Sequence, residues 1–147
     1  MHMTDATTDN PGAWNFAFAA FLVAMAATAG SLFFSNVMSV PVCELCWYQR
    51  IALYPLVVII GIGLFPWNPG MLRTAVTFTA IGWLTAVFHL LLIAGLIPEN
   101  ARPCIQGIPC SETHFYLFGL LNIPTLSLLT FGLIGALLCL AHRIETS

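Results

Sequence analysis

Cys43-Glu44-Leu45-Cys46-Trp47-Tyr48-Gln49-Arg50 opens a run, IALYPLVVIIGIGLF, that stays apolar as far as Phe65. Residues 47–65 are long enough to cross a hydrocarbon core about 30 Å thick, which takes roughly 20 helical residues. Lipid cannot satisfy exposed backbone N–H and C=O groups, so a spanning segment of this kind is a helix. The stretch therefore predicts a membrane helix with a dithiol at its mouth. A thiol there meets unpaired N–H groups and the positive end of the helix dipole, which favours its thiolate. Arg50 follows Cys46 by four residues, on the same helical face and one turn deeper. Thiolate, fixed cation and bilayer together point to redox exchange with something dissolved in the membrane.

The rest of the chain agrees with this reading. It has 147 residues, 59% hydrophobic and 7% charged, with no lysine, against about 25% charged residues in an ordinary soluble domain. Three more apolar runs, near residues 14–34, 72–97 and 115–140, are of spanning length. The predicted fold is all-α, a four-helix transmembrane bundle over residues 13–147 behind a mobile polar tail of residues 1–12. The first span is too long for a signal-peptide core and follows Asp5 and Asp9 rather than a basic region, so it is expected to stay in the mature protein. Neither a basic patch for nucleic acid nor a phosphate-cradling glycine pattern is present, and a monomer is expected. Ala17, Ala20, Ala24 and Ala27 form a small-residue seam on the first helix, Gly61, Gly63, Gly132 and Gly135 read as packing or bending positions, and Pro55 and Pro124 fall inside the second and fourth spans.

Four spans put both termini on one side of the membrane, and the first and third connections on the other. Arg73 and Arg143 against Arg102 make the side of the termini cytoplasmic. Cys43, Cys46, Cys104 and Cys110 then share the opposite face, the extracytoplasmic one, where disulfides persist. Cys104-Ile105-Gln106-Gly107-Ile108-Pro109-Cys110 has the spacing and turn residues to close a ring. It reads either as a structural staple or as the first stage of a relay. In the relay an outside dithiol reduces the loop pair, the loop pair reduces Cys43–Cys46, and Cys46 hands electrons to a membrane acceptor.

The other candidates carry paired readings. Arg50 either snorkels to headgroups or stabilises the Cys46 thiolate and an anionic reduced quinone. His89, about 12 Å inside the end of a third span closing at Ile97, either serves a quinone oxygen or hydrogen-bonds a neighbouring helix. Trp47 and Tyr48 suit an aromatic belt, His114 a solvated interface and Cys139 an apolar filler position. Glu44 opposes a neighbouring thiolate.

The Cys-x-x-Cys-x-x-x-Arg pattern of Cys43, Cys46 and Arg50, opening the second of four spans, resembles the DsbB family of disulfide-generating membrane proteins. The short Cys104–Cys110 loop, followed by Phe118-Gly119-Leu120-Leu121-Asn122-Ile123-Pro124, is most similar to its compact BdbC branch. The resemblance implies an enzyme of the bacterial inner membrane that reoxidises a thioredoxin-fold partner of the DsbA or BdbD type and reduces ubiquinone or menaquinone. It implies that Cys46 lies next to the quinone with Arg50 and His89, and that Cys43 exchanges with the loop pair. Cys104 would join the partner in a mixed disulfide, and Cys110 would pass oxidation inward from Cys43. This loop is far shorter than in the longer DsbB proteins and leaves no room for a membrane-lying helix. Two other readings remain. One is a structural membrane protein whose four outer cysteines hold zinc. The other is an enzyme similar to quinone or vitamin K epoxide reductases on the same four-helix plan.

Overall fold

A computed structural model describes residues 10–39, 43–98, 116–117 and 121–147. Among the described residues four helices, α1 (Pro11–Asn36), α2 (Glu44–Leu64), α3 (Met71–Ile93) and α4 (Ile123–Thr146), are each long and apolar enough to cross a membrane. The shortest, at 21 residues, spans about 32 Å at the usual rise. Each helix is apolar around much of its circumference, and only 17–33% of each spanning window is buried inside the protein. That is the pattern of helices whose outer faces meet lipid. Around the bundle the neighbours run α1, α2, α3, α4 and back to α1.

Small residues let the helices approach. Ala13, Ala17, Ala20 and Ala24 are wholly buried along α1, and Ala27 packs partly against the same core. The centre is filled by Leu56 and Ile60 of α2, Leu72 of α3, and Ile134 and Leu138 of α4, all fully buried. Gly82 lets α3 and α4 pack closely, because a Cβ there would land on the Phe131 ring.

The ends of two spans differ from the sequence expectation. α3 stops at Ile93 rather than Ile97, where Gly95 takes a left-handed φ of +74° and the Leu96 N–H turns back to the Leu91 carbonyl at 3.2 Å. Glycine at this position ends helices because it adopts that φ without a Cβ clash. α4 begins at Ile123, eight residues after the expected Phe115, and Pro124 sits in its first turn rather than kinking its middle. Proline suits that position, where its missing N–H has no intrahelical partner to lose. Just ahead of it, β1 (Tyr116–Leu117) and β2 (Leu121–Asn122) pair antiparallel, Tyr116 opposite Asn122. α2 runs unbroken through Pro55.

The up-down order gathers the end of α1, the start of α2, the end of α3 and the start of α4 at one end of the bundle. The opposite end is tied by the Asn10 side-chain amide, which donates to the Ile144 carbonyl at 3.1 Å.

Candidate active site

Cys43 is the N-cap of α2, in extended backbone at φ −74° and ψ 164°, and Glu44 through Cys46 form the first turn. One turn of helix brings the two sulfurs to 2.9 Å, as a hydrogen-bonded dithiol. Cys43 is 2% exposed and packs with Leu45 and Leu92, while Cys46 is half-buried at the edge of that cluster with Phe88.

α3 delivers His89 to the same place. The ring is fully buried, with Nε2 3.8 Å from the Cys43 sulfur. Because α3 ends early, His89 lies one turn from the helix end, about 6 Å along the axis rather than about 12 Å. On its other side the Gln49 side-chain amide lies 3.4 Å from Nδ1. An amide N–H donating to Nδ1 leaves the ring proton on Nε2, facing Cys43. Gln49 is 5% exposed, and sequence reasoning gave it no role. The available signal was its register: Leu45, Gln49, Ala52, Leu56 and Ile60 form the inward stripe of α2, and only Gln49 in it is polar.

Cys43 stands just outside the spanning segment, and its thiol is pushed down to about 4. The largest cause is the hydrogen bond from Cys46; burial opposes it, and His89 adds to the lowering. The anionic character expected at Cys46 therefore gathers on Cys43, where two donors converge. Glu44 is exposed, in the first turn of α2.

Arg50 lies half-buried on the neighbouring face of α2. Its Nη2 donates to the Ser31 carbonyl of α1 at 2.9 Å, and its guanidinium sits 5.6 Å from the Trp47 ring centroid. The cation is thus fastened between α1 and α2, on a residue one turn along the helix from Cys46. Trp47 and Tyr48 are exposed, as a belt requires. Cys139 is exposed on α4 rather than filling the core. Cys104, Cys110, Arg102 and His114 lie outside the described residues.

Beside the dithiol, α2 and α3 enclose an apolar groove of about 560 Å³ lined by Leu45, Tyr48, Ile51, Phe78, Leu84 and Phe88 among others. Leu45 and Phe88 belong both to its wall and to the cysteine cluster. Tyr48, Ile51 and Leu84 are exposed, so the groove opens on the outer face of the bundle.

The family described as "Disulfide bond formation protein DsbB" matches residues 13–141. "Probable disulfide formation protein C 2" of Bacillus cereus is 41% identical over 127 residues, 86% of this chain and 91% of its own length. "Disulfide bond formation protein C" of Bacillus subtilis is 39% identical over 85% of this chain and 91% of its own. "Probable disulfide formation protein" of Metapseudomonas resinovorans is 39% identical over 90% and 93% respectively. No solved structure gives a significant match. A family match that runs from the start of α1 almost to the end of α4, with the dithiol at the mouth of α2, makes this chain a member of the DsbB family of disulfide bond formation proteins.

Proposed function

We propose that the protein is a membrane protein-dithiol:quinone oxidoreductase that reoxidises a DsbA- or BdbD-like thioredoxin-fold partner. The observation that carries this reading is the Cys43–Cys46 dithiol at the mouth of α2, backed by His89 and adjoining an apolar groove. The termini are cytoplasmic and the redox end faces outside the bacterial cell membrane; Arg73 and Arg143, at the other end, support that orientation.

In the cycle, a thiolate of the reduced partner attacks the Cys104–Cys110 disulfide at Cys104, and resolution releases the oxidised partner. The Cys110 thiolate then attacks Cys43, with Cys46 as leaving group. Resolution by Cys104 restores the loop disulfide and leaves Cys43 and Cys46 reduced. Each exchange moves two electrons and makes one S–S bond as another breaks. Ubiquinone or menaquinone, when bound, accepts two electrons and two protons from the dithiol. The groove fits such a group: it is apolar, open to lipid and walled by residues that touch the cysteine cluster. Arg50 supplies a cation that cannot be neutralised beside Cys46, and His89 holds a proton at Nε2 toward Cys43.

The test is turnover of purified protein with a reduced thioredoxin-fold partner and a short-chain quinone. Replacing any of Cys43, Cys46, Cys104 or Cys110 should abolish it, and unimpaired turnover by Cys46→Ser would overturn the proposal.

One observation favours a second order of exchange: Cys46 is the more exposed sulfur, and Cys43 is the better-stabilised thiolate leaving group. The two orders trap different adducts. In Cys104→Ser the Cys110 thiolate opens the intact Cys43–Cys46 disulfide and no Cys104 remains to resolve the product, so attack at Cys43 accumulates a Cys43–Cys110 bond and attack at Cys46 a Cys46–Cys110 bond.

A further inference from the structure

The two sulfurs of Cys43 and Cys46 and a ring nitrogen of His89 all lie within 4.8 Å of one another. We propose that the reduced dithiol and His89 form a binding site for a thiophilic d10 dication of the zinc class, held by two thiolates and one imidazole nitrogen.

The geometry is close to what such an ion requires. Tetrahedral zinc, with bonds of about 2.3 Å to sulfur and about 2.0–2.1 Å to nitrogen, sets its sulfurs about 3.8 Å apart and each sulfur about 3.5 Å from the nitrogen. The Cys43–His89 edge already measures 3.8 Å. The sulfur pair, at 2.9 Å, must open by about 0.9 Å. Rotation of the Cys46 side chain, which is only half-buried, can supply that.

The chemistry of the donors agrees. Thiolate and imidazole select zinc-like ions over magnesium or calcium, and two cysteines with one histidine leave a fourth position open for solvent. A dication with two thiolates and a neutral imidazole carries no net charge, which suits a site where Cys43 and His89 are buried. Arg50 directs Nη2 to the Ser31 carbonyl and its guanidinium over the Trp47 ring, which leaves the lone pairs of the Cys46 sulfur open to a metal. Gln49 can serve both forms of the site. In the free dithiol its amide nitrogen faces Nδ1; with metal on Nε2 the ring proton moves to Nδ1, and the amide turned over offers its oxygen as acceptor.

Metal binding moves no electrons: both thiols give up their protons to solvent as two metal–sulfur bonds form. Oxidation forms the S–S bond and removes both sulfur ligands. Metal and disulfide therefore exclude each other, and a bound ion holds the site reduced. The ligand set needs His89 and neither loop cysteine, which separates it from a four-cysteine zinc site.

The experiment uses full-length protein carrying Cys104→Ser and Cys110→Ser, reduced with a phosphine and titrated with cadmium alone. One cadmium per chain should bind, with a thiolate-to-cadmium charge-transfer band that zinc displaces and that is lost once Cys43 and Cys46 are oxidised. Cys46→Ser should weaken binding by about 100-fold or more, and His89→Gln by about 10- to 100-fold with helical content retained. Three results would overturn the proposal: no cadmium band in the reduced protein, equal binding by the disulfide form, or binding that needs Cys104 and Cys110. Cys46→Ser carries the test should His89→Gln fail to fold. No turnover is measured, so the outcome stands apart from that of the oxidase reading.

Discussion

Gln49→Met isolates the step from a buried amide to the state of the active-site thiol. Methionine matches glutamine in length and flexibility but cannot donate to His89 Nδ1, which the Gln49 amide faces at 3.4 Å. A neutral hydrogen bond of this kind is worth about 0.5–1.5 kcal/mol net. In the native protein it biases the ring toward the tautomer whose Nε2–H faces Cys43, 3.8 Å away. Losing about 1 kcal/mol of that bias transfers at most about 0.7 of a pH unit to the thiol, at about 1.36 kcal/mol per unit. The hydrogen bond from Cys46, the largest cause of the depressed Cys43 value, stays in place, so the thiol remains well below its ordinary range. The assay is the ultraviolet thiolate absorbance of reduced minus oxidised protein, titrated in detergent. The midpoint assigned to Cys43 should rise by a few tenths of a unit, up to about 0.7. A variant that keeps its helical content and shows an unmoved midpoint would refute the coupling of Gln49 to Cys43 through His89.

Arg50→Met should raise the KM for a short-chain quinone about tenfold or more, corresponding to about 1.4 kcal/mol. An unchanged KM with lowered thermal stability would confine Arg50 to fastening α2 onto the Ser31 carbonyl. Gly82→Ala should destabilise the bundle, because overpacking against the Phe131 ring costs about 1–3 kcal/mol while helix propensity returns about 1 kcal/mol. Thermal unfolding in detergent measures it, Phe131→Leu should restore stability, and a Gly82→Ala protein more stable than the parent would refute the close approach. Reduced protein should grow more stable as pH rises. The Cys43 thiol titrates near 4 when folded against 9.0 ordinarily, so between those values the unfolded chain binds more protons. That stabilisation is lost as pH falls toward the folded value. The stability of reduced protein relative to oxidised protein should fall as pH drops toward 4, and a difference independent of pH contradicts the assignment.

The four spans were legible because each announces itself locally, as an apolar run of membrane length. Their ends were less so, since hydropathy carries on past the point where backbone geometry stops the helix. The 72–97 run reads as continuous, but Gly95 takes a φ of +74° and ends α3. The 115–140 run hides Pro124, which starts α4 instead of interrupting it. Cys43, Cys46 and Arg50 were readable from spacing along one helix. His89 was readable as a candidate but not as a neighbour of Cys43, because the contact crosses from α2 to α3. The acceptor of Arg50 is a backbone carbonyl of α1, and a main-chain partner leaves no mark in sequence. Gln49 becomes conspicuous only once the buried face of α2 is known.

Glu44 changes meaning in the same way. Read along the sequence, it is an anion inside a motif that favours thiolates. In the structure the N-cap of α2 is Cys43, whose side chain makes no capping hydrogen bond. Its sulfur is turned to Cys46 and His89 instead. Giving the N-cap to a thiol forgoes the contribution of a Ser or Asp cap, about 1 kcal/mol. A carboxylate in the first turn recovers part of that, about 0.3–1 kcal/mol against the positive end of the helix. Glu44 can supply it from an exposed position, where solvent screens its repulsion of the buried Cys43 sulfur. The motif thus divides two demands that would otherwise fall on one residue: Glu44 steadies the helix end, and Cys43 is left free to react.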